Sequence, residues 1–175
     1  MTDLRYPIGK FDRESEITAD DIALWIDQIE MLPRQLRNAV EDLNDEQLET
    51  PYRPGGWSVR QVVHHIGDSH LNSLVRFKWG LTEEEPTIKI YHEERWAELA
   101  DYREVPIETA LDFLEVLHVR LVALLRSLSN EDLARRFIHP ETGPITLARN
   151  IGLYAWHGRH HLAHITRLKE REGWD

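Results

Sequence analysis

The chain has 175 residues, 41% of them hydrophobic and 30% charged, and no cysteine. One domain over residues 1–175 is expected, large enough for a core without covalent staples, and disulfides, thiolate-held zinc and a cysteine nucleophile are excluded. The formal charge of −10, from 31 acidic and 21 basic residues, repels phosphate backbones, so no nucleic-acid partner is expected.

No run approaches the ~18 apolar residues of a membrane span, and "MTDLRYPIGKFDRE" has no apolar stretch of the signal-peptide kind. The expectation is a cytoplasmic protein with no membrane partner.

Residues 18–43 read as a first helix. Ile22, Ile26, Ile29, Leu32, Leu36, Val40 and Leu43 recur at three- and four-residue steps. Thr18 with Asp21 resembles a capping box, with Asp in place of Glu. Pro33 is expected to kink or split this helix. A brief turn follows in "LNDEQL", then a loop punctuated by Pro51, Pro54, Gly55 and Gly56. Ser58 and Gln61 form a second capping-box pattern and open a second helix to about Trp79. Residues 80–105 carry no sustained pattern and read as a long crossover with a short helix near 93–100. Within it, "PTIKIY" (86–91) is the one piece suggestive of extended chain.

A third helix spans about 106–128, with Pro106 suited to its first turn. After "SNEDL", another short turn, and a loop, Thr146 caps a fourth helix that runs to about Glu172. Each half ends its first long helix with a similar phrase, "LNDEQL" or "LSNEDL", and each then opens a histidine-bearing helix at a Ser or Thr cap. The expected fold is all-α: two helical hairpins joined by a long crossover and packed as a four-helix bundle.

Seven of the ten histidines lie in two windows, "VVHHIGDSH" on the second helix and "WHGRHHLAHI" on the fourth. On the fourth helix Leu147, Ile151, Tyr154, Ile165 and Leu168 share a face. His161 falls inside that stripe and His157, one turn before it, at its border. His160 and His164 have the same i,i+4 spacing but lie further round, toward solvent. Side chains four apart project side by side and can clamp one cation. Burial therefore favours His157 with His161.

Catalytic zinc takes three protein ligands and keeps one position for a reactant, so a further histidine from the facing second helix is needed. There Val59, Val62, Val63, Ile66, Leu74 and Phe77 mark the inner arc. His64 and His65 lie near its two edges and His70 near its centre. Periodicity does not choose among the three, although a lone core histidine such as His70 is more often satisfied by a carbonyl than by a metal. His92, His118 and His139 carry no clear pattern.

"YPIG", "TPYRPGGWSVRQVVHHIGDSH", "RFKWGLTEEEP" and "LYAWHGRHHLAHI" together resemble the YfiT-like branch of the DinB superfamily over nearly the whole chain. The resemblance implies a four-helix bundle and a divalent metal, one per chain, held by a second-helix histidine and an HxxxH pair. Those positions fall on His65, His157 and His161 here. Many DinB-like proteins carry Arg and Gln after the last ligand; Leu162 and His164 stand in those places.

Three imidazoles with one open position suit Zn2+ or Ni2+, and such a metal activates water for hydrolysis of a small-molecule substrate. Asp68 is a candidate to orient a ligand or shuttle a proton. The same site could instead deprotonate a low-molecular-weight thiol for transfer to an electrophile. Bacillithiol is the thiol that the resemblance implies, with Arg60, Arg76 and Arg159 as candidate carboxylate contacts. A third possibility is a non-catalytic, metal-stabilised binding module. Trp79, Trp96 and Trp174 are candidate contacts for a homodimer.

Overall fold

The computed structural model describes residues 3–174. Four long helices carry the fold: α1 (Ala19–Val40), α3 (Val59–Thr82), α6 (Ile107–Arg126) and α8 (Leu147–Glu172). Short helices α2 (Asp45–Leu48), α4 (Glu93–Trp96), α5 (Asp101–Glu104) and α7 (Asn130–Ala134) sit in the connections, with strands β1 (Arg136–His139) and β2 (Gly143–Thr146) before α8. Among the described residues, no helix is long and apolar enough to cross a membrane.

The helix starts follow local chemistry. Thr18 accepts from the Asp21 amide and Asp21 returns the bond to the Thr18 amide. Ser58 and Gln61 repeat this reciprocal arrangement, and the Thr146 hydroxyl accepts from the Arg149 amide. Each cap satisfies amides that the first helical turn leaves without partners. Pro106 stands one place before α6, with φ −56° and ψ 144°. Pro33 lies inside α1, which continues through it without a break.

The expected inner faces are buried. Ile26, Ile29, Leu32, Leu36 and Val40 of α1 meet Val59, Val62, Val63, Ile66, Leu74 and Phe77 of α3, and Ile151, Tyr154, Ile165 and Leu168 of α8. Leu111, Leu114, Leu121 and Leu125 of α6 complete the core.

The four long helices form the expected four-helix bundle, with its long crossover between α3 and α6, but the members of each expected hairpin are not packed side by side. α1 packs against α8 and α6, and α3 packs against the same two. α1 and α3 therefore stand at opposite corners, as do α6 and α8. Trp25 and Leu32 of α1 meet Gly152 and Gly158 of α8 in that order, so these two run parallel. Gly67 of α3 meets Phe113 of α6 while His70 meets His118, so these two also run parallel. Gly80 of α3 meets Leu147, near the start of α8, so that pair is antiparallel. The resulting order of directions is up, down, down, up. The segments between α1 and α3 and between α6 and α8 each hold more than fifteen residues. A hydrophobic repeat defines which face is buried but not which neighbour buries it, and connections this long can cross a bundle end diagonally. Only the parallel α3–α6 pair needs a full-length return, and the expected crossover supplies it.

One strand pair was not visible in the sequence, whereas the extended piece expected in "PTIKIY" is present. "RFIH" and "GPIT" form an antiparallel hairpin with Phe137 opposite Ile145, and Gly143 turns it at φ +79°, a backbone region that favours glycine. Part of "PTIKIY" lies extended beside β1: Ile88 donates to the Ile138 carbonyl at 3.0 Å and Ile138 to the Pro86 carbonyl at 2.9 Å. The single short helix expected near 93–100 is two one-turn pieces, α4 and α5. Of the three tryptophans considered for self-association, Trp79 is exposed and Trp96 and Trp174 are half-buried.

Candidate metal centre

α3 and α8 face each other antiparallel, and their histidines meet near the middle of the contact. His65 Nε2 lies 3.2 Å from His157 Nε2. With one nitrogen of His161, these form a group whose candidate ligand atoms all lie within 4.8 Å of one another. Two ligands at 2.0–2.1 Å on a tetrahedral zinc are roughly 3.3 Å apart, so the His65–His157 separation matches one edge of such a site.

Among the described residues, no other group of three or more histidine or acidic residues converges in this way. His157 and His161 are thus brought together as the helical wheel indicated. Of the three α3 histidines that periodicity left open, His65 is the one that joins them. His64 turns to the other side of α3, its ring 5.3 Å from that of Tyr102.

Burial keeps these rings neutral. Loss of solvent pulls His65 down to about 3 and holds His157 and His161 well below the ordinary imidazole value, and neighbouring imidazoles add to the effect. Neutral imidazoles are the form that binds a metal. His65 Nδ1 is buried without a hydrogen-bond partner, and Trp57 lies against the ring at 4.5 Å.

The flanking histidines were harder to read. His160 and His164, expected toward solvent, are buried. Residues ahead of α1 lie along α8 and cover that face: the Arg5 carbonyl is 3.2 Å from His164 Nε2, and Trp156 donates to the Gly9 carbonyl. From the loop before α3, Tyr52 stacks on His164 at 3.9 Å. His160 stacks on Trp156. A wheel of α8 alone contains neither of these covering segments.

His70 is fully buried, as expected of a core histidine, but its partners are imidazoles rather than a carbonyl: His118 Nε2 at 2.9 Å and His157 Nδ1 at 3.3 Å. His118 in turn meets the Ile29 carbonyl at 2.7 Å. No periodic signal pointed to His118, because its significance lies in a partner on another helix.

The site opens into a cleft of about 1070 Å3. One wall is the α3–α8 histidine face. The crossover (Tyr91, Glu93, Arg95) and the hairpin region (His139, Glu141) also line the cleft. Of the three arginines considered, only Arg76 reaches the cleft, where it donates to the Tyr154 hydroxyl. Arg60 is engaged by Glu49 and Asp45, and Arg159 lies on a separate surface groove. Arg53 and Arg95 also line the cleft, and no motif or spacing marks them out.

Asp68 is not on the cleft wall. Its carboxylate accepts from the Tyr102 hydroxyl at 2.7 Å. The carboxylates that do face the cleft include Glu93, whose pKa burial raises.

A family model described as the DinB superfamily matches residues 28–165. A Bacillus cereus protein named "Putative metal-dependent hydrolase" is 59% identical over 174 residues, covering 99% of this chain and all of the relative. A Bacillus anthracis protein of the same name is 58% identical over the same coverage. YfiT from Bacillus subtilis, described as "a probable metal-dependent hydrolase with an unusual four-helix bundle topology", superposes with a TM-score of 0.95 at 48% identity, covering 98% of this chain and 99% of that one. A second four-helix bundle protein, TT2238, at 17% identity and a TM-score of 0.58, shares the fold.

Proposed function

The chain belongs to the DinB superfamily, and from that premise we propose that it is a metal-dependent hydrolase of a small-molecule substrate, with His65, His157 and His161 as the metal ligands. The observation that carries this reading is the convergence of three neutral imidazoles, two buried and one half-buried, from two facing helices on the lining of one cleft. The names of its full-length relatives support the same activity.

The donor set fits a borderline divalent cation such as Zn2+ or Ni2+. Bound there, the metal would supply Lewis-acid polarisation and water activation at neutral pH. The chain itself does the rest. Three protein nitrogens leave room for a reactant, and the cleft gives it access. Arg76, held by Tyr154, offers a guanidinium to an anionic or carbonyl oxygen of the substrate. Glu93 lines the same cleft with its proton affinity raised by partial loss of solvent, which suits a group that carries a proton to a leaving atom.

The test is a metal titration paired with turnover. Wild-type protein should bind one Zn2+ or Ni2+ per chain, and His157→Ala should abolish that binding. Stoichiometric metal retained in this variant rejects the ligand set. The loaded protein is then given activated esters and amides with and without a low-molecular-weight thiol. Turnover without thiol supports hydrolysis; product formed only with thiol turns the reading to thiol transfer. Catalysis of neither kind, with metal removal changing only the melting temperature, would make the metal structural.

A further inference from the structure

Two chains of imidazoles lead away from the site, and each ends on a main-chain carbonyl. A carbonyl oxygen can only accept a hydrogen bond, and a neutral imidazole carries one N–H and one lone pair. These two facts fix every proton along both chains.

The first chain starts at Ile29. In an uninterrupted helix its carbonyl would accept from the amide of residue 33. That residue is Pro33, which has no N–H. His118 Nδ1 lies 2.7 Å from the freed oxygen and must carry the proton. His118 Nε2 is then a lone pair, which accepts from His70 Nδ1 at 2.9 Å. His70 Nε2 is left to accept from His157 Nδ1 at 3.3 Å. The remaining lone pair of His157 is on Nε2, the atom that faces His65. This relay passes through all four long helices, from α1 to α6 to α3 to α8.

The second chain is shorter. His164 Nε2 donates to the Arg5 carbonyl at 3.2 Å. Its Nδ1 accepts from His161 Nδ1 at 3.4 Å, which leaves Nε2 as the lone pair of His161. His70, His118 and His164 are all buried, and burial favours the neutral form that both chains require.

We propose that His70, His118 and His164 are positioning residues, and that their two relays, anchored on the Ile29 and Arg5 carbonyls, fix His157 and His161 in the Nδ1–H tautomer with Nε2 presented to the metal. The inference rests on the three-imidazole metal reading. It gives Pro33 a functional role: the proline frees the carbonyl on which the longer relay is anchored. It also sets the ligands apart. The HxxxH pair is held by relays, whereas His65 Nδ1 has no partner and is held by packing against Trp57. A hydrogen bond to the far nitrogen of a ligating imidazole fixes its orientation and raises its basicity, and losing such a partner typically costs 10–100-fold in metal affinity.

The test is a tautomer map of the Zn2+-loaded full chain from two-bond 1H–15N correlation spectra at neutral pH. The expected protons are on Nδ1 of His70, His118, His157 and His161 and on Nε2 of His164. A proton on Nε2 of His70, or zinc on Nδ1 of His157 or His161, would overturn the inference while leaving the metal site intact. Wild-type protein that binds no Zn2+ would instead defeat the metal reading, and the relays as ligand-positioning devices with it.

Competition titration with Zn2+ adds an independent arm. His118→Leu should weaken binding by roughly 10–100-fold. His118→Gln, which keeps one donor and one acceptor, should recover most of that loss. Equal affinities for the two variants would contradict a hydrogen-bonded relay. If His118→Leu fails to fold, the tautomer map of the wild-type chain still decides.

Discussion

At the scale of single residues, the site is a cluster of histidines kept uncharged by burial, and this has a cost in acid. His65 is drawn down to about 3, and His118, His160 and His164 to about 4, chiefly through loss of solvent. An unfolded histidine titrates near 6.5. Between those values the unfolded chain binds more protons than the folded one, so stability falls as pH drops. The stability contributed by the neutral rings is fully present above about pH 6.5 and is lost progressively toward pH 4. Urea midpoints of the metal-free protein should be level above neutrality and decline steadily below about pH 6.5. A midpoint unchanged down to pH 4.5 would mean that the rings are not buried as described.

How much of this was legible depended on where each residue's partner lies. His157 and His161 could be chosen from helical periodicity because they lie at the border of and inside the apolar stripe of their own helix, although His157 is only half-buried. His65 could not be separated from His64 and His70, since all three border the same arc. His160 and His164 were placed toward solvent because a wheel of one helix cannot contain the Arg5 segment or Tyr52. Asp68 was considered for its position beside the α3 histidines, but it is bonded to Tyr102.

Between elements, α1 and α8 approach closely at Gly158. A Cβ built there would lie 2.4 Å from Leu32 Cδ2, and Leu32 is itself buried in the core. At Gly152 the obstacle is the ring of Trp25 at 2.8 Å, which is only half-buried and free to swing outward. Overpacking a core costs about 1–3 kcal/mol, against about 1 kcal/mol gained from the better helix propensity of alanine. Gly158→Ala should therefore lower the melting temperature, and Gly152→Ala should lower it less or not at all. A Gly158→Ala protein more stable than wild type would show that Leu32 has room to move. Because His157 precedes Gly158 on α8, the destabilised variant should also bind Zn2+ less tightly.

The capping boxes at Thr18 and Ser58 and the cap at Thr146 were readable from local sequence, because the bonds they make are local. The β1–β2 hairpin was not, because four-residue strands are too short to show alternation.

For the whole molecule, the four inner faces were legible and the order of the helices was not. Apolar repeats specify a buried stripe on each long helix, and any arrangement that covers four stripes satisfies them. The two long connections that carry α2, α7 and the hairpin permit diagonal crossings, which place α3 between α6 and α8. That order matters for function. It sets His65 opposite His157 and His161, and it lets His70 reach both His118 and His157. With α1 and α3 as adjacent hairpin partners, the relay from Ile29 to His157 would lose its path through α6.

The site is tested most directly by zinc K-edge X-ray absorption on protein loaded to one Zn2+ per chain. Three imidazole nitrogens at about 2.0–2.1 Å and one further light ligand from outside the protein are expected, with the three-imidazole signature lost in His157→Ala. A sphere closed by four imidazoles, or one with fewer than three, would contradict a reactive centre built from His65, His157 and His161.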